Sequence, residues 1–123
     1  MEDNIEITEN FKKYISGFFD GDGSIGIYNK TLRVKLTQKS DTNILHKISK
    51  IYENDNKVDN YAIHFYGKNS SLFLTDVKKY CIYKSFQIAI ALGYIDTINV
   101  KLTDEIINLR KDYIKLLQDE KHI

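Results

Sequence analysis

Two carboxylates, Asp20 and Asp22, end an apolar segment that covers residues 15–23. Helical periodicity upstream of them predicts that they stand at the C-terminus of a helix, where backbone carbonyls are unpaired and carry a partial negative charge. Asp22, beside the carbonyl of Gly21, could therefore hold a divalent cation through oxygen ligands. The glycines around it would let the backbone turn sharply and come close to the ion.

Two plainer interpretations compete with a metal site. A calcium loop of the EF-hand kind needs glycine at its sixth position and glutamate at its twelfth. Counted from Asp20, those positions hold Ile25 and Thr31, so the calcium loop fits poorly. A helix stop with acidic turn residues explains the same pattern without a metal, and the residues alone leave that interpretation open.

Residues 15–23 resemble the LAGLIDADG motif position for position in character. Five positions are conservative variants, and four are identical: Gly17, Asp20, Asp22 and Gly23. The chain is thereby identified as similar to homing endonucleases, of the type that carries a single motif. The resemblance implies that Asp22 is the catalytic residue that binds Mg²⁺, that the Gly21 carbonyl also approaches the metal, and that Asp20 is structural.

Two further site residues follow from the resemblance. Gln38, at the end of the second predicted strand, takes the place of a glutamine that helps to organise the water or metal near the cut. Lys84, just before a predicted helix, resembles a lysine that stabilises the scissile phosphate. A solvated lysine at a helix start is an equally good interpretation of Lys84.

The motif occurs once in the chain, and family members with one motif dimerise to supply two aspartates. The resemblance therefore implies a homodimer in which the motif helices pack against each other, because small residues let backbones approach. An isologous pair would bring the two copies of Asp22 together near the twofold axis. The residues expected at this interface are Ile15, Ser16, Gly17, Phe18 and Asp20.

The elements that must position these residues follow from hydrophobic periodicity. A first helix is predicted to begin at the cap Thr8 and to end at residues 21–23. Residues 24–28 and 32–38 alternate in polarity, and with residues 29–31 between them they predict an antiparallel hairpin. Its predicted core face consists of Ile25, Ile27, Leu32, Val34 and Leu36.

The rest of the chain predicts one more hairpin and four helices. A helix capped by Ser40 or Asp41 precedes a second, shorter hairpin at residues 57–60 and 61–66. Helices follow at residues 71–80 and 85–94, and Thr103 is expected to cap the last one. The inward positions of that last helix are Ile106, Leu109, Tyr113, Leu116 and Leu117.

This order predicts an α+β fold in one domain over residues 1–123. The resemblance implies the same αββαββα order, with helices on one face of a four-stranded antiparallel sheet. The other face would form a DNA-binding saddle.

Positive charge is concentrated in residues 24–40, which contain no acid although the whole chain has a net charge of +1. A solvated strand face and a DNA-binding face explain that charge equally well. The resemblance favours double-stranded DNA, with Arg33 and Lys35 toward guanine edges and Lys30 toward phosphate. The candidate DNA contacts are Ser24, Gly26, Tyr28, Lys30, Arg33, Lys35, Thr37, Lys39, His64 and Tyr66.

The activity implied is hydrolysis of one phosphodiester in each strand of a pseudo-palindromic site by Mg²⁺-activated water, which leaves 3′ overhangs. Such an enzyme would serve intron homing by a mobile element. Two other functions use the same fold: an intron maturase that binds RNA, and a DNA-binding regulator that does not cut. Retention of both aspartates argues against the regulator.

Several broad classes of protein are excluded by the sequence. No apolar run reaches the roughly eighteen residues of a membrane span, and the acidic N-terminus does not resemble a secretory signal. A single cysteine, Cys81, permits no disulfide framework, so we expect a soluble protein of a reducing compartment. The excess of lysine over arginine and the absence of proline indicate an AT-rich gene of an organelle (mitochondrion or chloroplast), a phage or a virus.

Overall fold

A computed structural model describes residues 8–40, 42–52, 58–59, 61–98 and 100–121. The predicted α+β class is confirmed. None of the helices in these ranges is both long and apolar enough to cross a membrane. In chain order, the elements are α1 (Glu9–Asp22), β1 (Gly23–Tyr28), β2 (Thr31–Thr37), α2 (Asn43–Ile51), β3 (Ala62–Tyr66), α3 (Gly67–Val77), α4 (Ser85–Asp96) and α5 (Asp104–Lys121).

Helix α1 begins and ends where the sequence predicts. The Thr8 side chain accepts a hydrogen bond from the Phe11 N–H at 3.1 Å, which satisfies one of the first amides of the helix. At the other end, the Gly23 N–H donates to the carbonyl of Phe19, and the extended backbone of Gly23 leads directly into β1. A side chain at Gly23 would collide with the Phe19 ring, so the passage from helix to strand requires glycine.

Strands β1 and β2 form the predicted hairpin. The turn contains only Asn29 and Lys30, whose φ angles of 50° and 66° are those of a type I′ turn. Thr31, predicted as part of the loop, instead pairs with Tyr28. The Tyr94 hydroxyl of α4 donates to the Lys30 carbonyl at 2.7 Å, so the turn is tied to the helical layer.

The predicted fourth strand is the main difference from expectation. Strand β3 pairs antiparallel with β2, which gives the sheet order β1-β2-β3. Of the preceding segment, Val58 makes only an isolated bridge with Ile63, and residues 57 and 60 lie outside the described ranges. The Asp59 N–H donates to the Ala62 carbonyl at 2.8 Å beside that bridge, and no longer ladder is formed by the described residues of this segment. The described residues therefore contain three strands, not four.

The helices cover one face of the sheet, and the predicted core face of the hairpin is confirmed. Ile25, Leu32, Val34 and Leu36 are at most 1% exposed, and Ile27 is partly buried against the same cluster. Aromatic rings fill the space behind the sheet, with ring centroids 4.7–5.7 Å apart among Phe19, Tyr52, Phe65 and Phe73. Each such contact contributes roughly 0.5–1.5 kcal/mol beyond its buried area.

The start of α2 differs from the prediction. Thr42 occupies its N-cap and makes no side-chain capping bond. Ser40, one of the two expected caps, instead donates its N–H and hydroxyl to the Gln38 side chain, because that acceptor lies only two residues away. Asp41, the other expected cap, lies outside the described residues.

Helix α5 packs on α4 and on the edge of β1. Its predicted cap is confirmed, because the Thr103 hydroxyl accepts from the Ile106 N–H at 3.2 Å. The prediction of its inward face is partly wrong: Leu117 is buried, whereas Leu109 and Leu116 are 40% and 46% exposed. Periodicity along one helix indicates an apolar stripe, but the packing partners decide how much of that stripe is covered.

Candidate nucleic-acid interface

Asp22 is the last residue of α1, and β1 begins at the next residue. Gly21 and Asp22 are both exposed. Among the described residues, no group forms a hydrogen bond or ion pair with the Asp22 carboxylate. Its oxygens therefore remain available as acceptors or metal ligands.

Asp20 is held by the loop that leads into α4. Its carboxylate accepts hydrogen bonds from three consecutive backbone N–H groups, those of Ile82 (2.6 Å), Tyr83 (3.1 Å) and Lys84 (3.0 Å). Burial opposes ionisation of Asp20, but these hydrogen bonds outweigh it and hold the pKa of the carboxyl below its usual value. The structural role expected for Asp20 agrees with this geometry.

Lys84 reaches the same end of α1. Its Nζ donates to the carbonyl of Asp20 at 2.6 Å and lies 5.8 Å from the centroid of the Phe19 ring. A cation at a helix C-terminus interacts favourably with the exposed carbonyls. The fold therefore places the Lys84 ammonium at the helix end that carries Asp22, although Lys84 comes 62 positions later in the sequence.

Gln38 lies at the same edge of the sheet. Gly23 pairs with Leu36, so the end of α1 and the end of β2 are neighbours. The Gln38 amide oxygen accepts from the Ser40 N–H at 3.1 Å and from the Ser40 hydroxyl at 2.8 Å. Both hydrogen bonds to that oxygen come from a residue two positions away. The catalytic role of Gln38 stays a prediction.

The donors at this edge fit a hard cation only as part of a larger ligand set. The Asp22 carboxylate and the Gly21 carbonyl are oxygen donors of the kind that Mg²⁺ prefers, and Mg²⁺ usually completes its shell with water and substrate phosphate. Among the described residues, no group of three or more His, Cys, Asp or Glu side chains could hold a metal ion. A site built here would need ligands beyond the described residues, such as water and substrate phosphate.

The open face of the sheet, opposite the helices, carries the predicted DNA contacts in cross-strand rows. Paired residues of antiparallel strands point to the same face, so the register defines each row. The structure brings His64 and Tyr66 of β3 beside Lys35 and Arg33 of β2. The rows are Tyr28 with Thr31, Gly26 with Arg33 and Tyr66, Ser24 with Lys35 and His64, and Thr37 with Ala62.

Lys30 and Lys39 lie outside these rows. Lys30 is exposed in the β1-β2 turn, and Lys39 is exposed just beyond β2. They flank the open face at opposite ends of β2, where a phosphate backbone could pass.

One acid that no sequence pattern singles out borders the open face. Asp59 binds the Nε2 atom of His64 through its carboxylate at 2.7 Å. That hydrogen bond is the main reason why the pKa of Asp59 lies below its usual value. The His64 ring also stacks on Tyr66, with centroids 6.3 Å apart. No periodicity connects Asp59 with His64, since the contact depends on the backbone hydrogen bond between Asp59 and Ala62.

The exposed side of α1 differs from the expected dimer interface at two positions. Ile15 and Ser16 have no exposed surface, and the Ser16 hydroxyl donates to the carbonyls of Lys12 and Val77, at 2.5 Å and 3.3 Å. Both side chains are enclosed in the chain's own interior, so they are not available to contact a second copy.

The surface that α1 does expose lies on its other side. On that side, Tyr14 (56% exposed), Gly17, the partly buried Phe18 and Gly21 follow one another at helical spacing. The rings of Tyr14 and Phe18 are 6.5 Å apart. A β-carbon added at Gly17 or Gly21 would meet no atom within 4 Å, so this strip of helix is open.

Solved structures of homing endonucleases have a similar fold. I-CvuI in complex with its target in the presence of calcium has a TM-score of 0.74 at 16% identity, over 91% of this chain and 82% of that chain. The archaeal intron-encoded I-Vdi141I in complex with DNA has a TM-score of 0.73 at 18% identity, over 92% and 86%. I-CvuI with the I-CreI target and magnesium, in which the DNA is not cleaved, has a TM-score of 0.60 at 16% identity, over 96% and 99%.

No protein-family profile and no curated protein matches the sequence. Identities of 16% and 18% to the solved structures establish the fold. The chain has the fold of these homing endonucleases, as the resemblance found in residues 15–23 predicts.

Proposed function

We propose that this chain is the subunit of a homodimeric, site-specific DNA endonuclease that makes a double-strand break with a divalent metal ion. The observation that carries the proposal is the place of Asp22. Its carboxylate is exposed and has no partner among the described residues, and it stands at the edge of a sheet whose open face carries Arg33 and Lys35. Proteins of the same fold bind DNA targets, which supports DNA as the substrate.

The open face supplies the recognition surface in this proposal. Arg33 and Lys35 project from the central strand, so they can reach guanine edges in a major groove. Lys30 and Lys39, at the two ends of β2, are placed for phosphate contacts, which orient the protein without reading sequence.

The edge of the sheet supplies the residues of the cleavage site. Asp22 and the Gly21 carbonyl would hold the metal ion, and two structures of similar fold were determined with calcium or magnesium present. A bound ion of this kind polarises the phosphate and makes a coordinated water more acidic. The Lys84 ammonium would stabilise charge that develops on the phosphate, and the side chain of Gln38 would orient the attacking water.

Two copies of the chain are needed to cut two strands, because each contributes one Asp22. The open strip of Tyr14, Gly17, Phe18 and Gly21 on α1 is the surface that we assign to the contact between copies. An isologous contact through α1 would place both carboxylates beside one axis, as two nearby phosphodiesters require.

The proposal is tested by incubating the purified protein with a randomised duplex library, with Mg²⁺ or with Ca²⁺, and sequencing the ends that form. We expect Mg²⁺-dependent cuts with 3′ overhangs at a pseudo-palindromic site. Sedimentation velocity should give a dimer on that site. Selective DNA binding without cuts under any metal condition would support a regulator, and selective binding of structured RNA with no DNA selection would support a maturase.

A further inference from the structure

Tyr28 and Arg33 form a stacked pair on the open face of the sheet. The Cζ atom of Arg33 lies 4.3 Å from the centroid of the Tyr28 ring, which is within the range of a cation–π contact. Tyr28 is at the end of β1 and is 50% exposed. Because Arg33 pairs with Gly26, the ring of Tyr28 reaches back along its own strand to meet the guanidinium.

Gly26 is the residue that makes room for this ring. A β-carbon at Gly26 would lie 2.5 Å from Cε2 and 2.7 Å from the hydroxyl oxygen of Tyr28, which is closer than real contacts allow. Gly26 is also buried although it belongs to the open face, because the ring covers it. The tyrosine ring therefore lies against the backbone at Gly26, with the guanidinium over the ring.

The N–H groups of a guanidinium lie in its own plane, so stacking on a ring does not block them. Those N–H groups can still donate in pairs to the O6 and N7 acceptors of guanine, which is the commonest specific contact in the major groove. A side chain held in this way loses less conformational freedom when it binds. Lys35, in the next row, has no such aromatic support among the described residues.

We propose that Tyr28 is a positioning residue for base recognition: its ring, seated on Gly26, holds the Arg33 guanidinium in the pose that reads a guanine. This inference rests on the proposed DNA-binding function. It changes the role of Tyr28 from a direct base contact to the support of one. Gly26 also contributes to recognition in this proposal, because the absence of a side chain leaves room for the ring.

Two variants that act on the pair in different ways test the proposal. Tyr28→Leu removes the ring, whereas Gly26→Ala keeps both Tyr28 and Arg33 but displaces the ring from the strand. Each should reduce the discrimination of guanine from adenine at one position of each half-site by about two- to fivefold, the fold-change for a cation–π contact of about 0.5–1 kcal/mol. Tyr28→Phe keeps the ring and should restore discrimination.

Discrimination is measured by competitive binding to the selected site with guanine, adenine or 7-deazaguanine at each position, with Ca²⁺ present. The effect should be confined to the one position at which Arg33→Lys also loses discrimination. Tyr61→Leu removes another exposed tyrosine, 51% exposed and without a cation contact among the described residues, and should keep the full base preference.

Three outcomes would overturn an inference, and they are distinguishable. A wild-type protein that selects no DNA site would overturn the proposed function itself. A wild type that selects a site, while folded Tyr28→Leu and Gly26→Ala both keep full guanine discrimination, would overturn only the role of Tyr28. Weaker binding that is equal for all bases would also overturn it, because a merely structural role would act in that way.

Discussion

Asp20 and Asp22 stand two residues apart at the end of α1, and the environments of their carboxylates are opposite. Asp20 accepts three backbone hydrogen bonds from residues 82–84 and has a lowered pKa. Asp22 is exposed and has no partner among the described residues. A carboxylate whose lone pairs are used inside the chain helps to hold the fold, whereas one left with open lone pairs can bind a ligand.

Lys84 connects the two regions. Its backbone N–H belongs to the set that binds the Asp20 carboxylate, and its ammonium caps the Asp20 carbonyl at the end of α1. One residue thus fixes the loop with its backbone and, with its side chain, places a positive charge at the end of α1. The anchoring of Asp20 is therefore a condition for placing the charge.

The largest effect that we expect is on cleavage, from Asp22→Asn. The change removes a metal-binding charge with almost no change in volume, so the cleavage rate should fall by at least about a thousandfold, or about 4 kcal/mol. Binding to the selected site, measured by fluorescence anisotropy with Ca²⁺, should remain within a few-fold of wild type. Cleavage at the wild-type rate would contradict the role of Asp22.

Asp20→Ala should instead lower the free energy of unfolding, by about 2 kcal/mol, because three N–H groups lose a charged acceptor. Asp22→Ala is the matched control and should change the stability by less than about 0.5 kcal/mol. Urea unfolding followed by circular dichroism, at one protein concentration, measures both. Equal losses of stability in the two variants would remove the distinction between the aspartates.

Lys84→Met should reduce the cleavage rate by about tenfold and leave a folded protein, since methionine keeps most of the packing but not the charge. Lys78→Met, at an exposed position just after α3, is the control and should stay within about twofold of wild type. The rates are compared in single-turnover cleavage with saturating Mg²⁺. Equal rates for both variants would make Lys84 an ordinary solvated lysine.

The smallest effect is the pH dependence of the stability that Asp20 contributes. Its pKa in the folded protein lies below the ordinary value of 3.8, so the contribution is complete above that pH and is lost as the pH falls through the folded-state pKa. The difference in unfolding free energy between wild type and Asp20→Asn should be constant above about pH 5 and shrink below about pH 4. Glu9 and Asp59, whose pKa values are also lowered, titrate in both proteins and cancel in that difference. A difference that grows on acidification would contradict the assignment.

Local patterns predict the parts of the fold that local physics determines. The Thr8 cap, the helix end at residues 21–23, the β1-β2 hairpin and its core face each depend on residues close together in sequence. The position of Asp22 belongs to the same group, because the motif itself ends the helix. These features can therefore be predicted from the amino-acid sequence alone.

Contacts between distant segments are not predictable in this way. The partners of Asp20 come from residues 82–84, and the Lys84 ammonium finds a carbonyl that no spacing rule connects with it. Burial of Ile15 and Ser16 depends on where α3 packs, which makes two of the five expected α1 interface residues internal. The lack of a fourth strand among the described residues also depends on pairing with another segment. Val58 makes one isolated bridge, and one bridge is not a strand.

The two exposed glycines of α1 destabilise the helix, and no packing contact within the described part of the chain offsets this. A glycine inside a helix destabilises it by about 1 kcal/mol relative to alanine, and neither Gly17 nor Gly21 is needed for packing within the described part of the chain. Alanine at both positions would therefore make a lone subunit more stable, while the added methyl groups would keep a second helix at a greater distance. In the proposed homodimer, the stability of the single chain and the closeness of the two copies are thus opposed at these two sites, so Gly17 and Gly21 are the positions to change when a monomer is wanted.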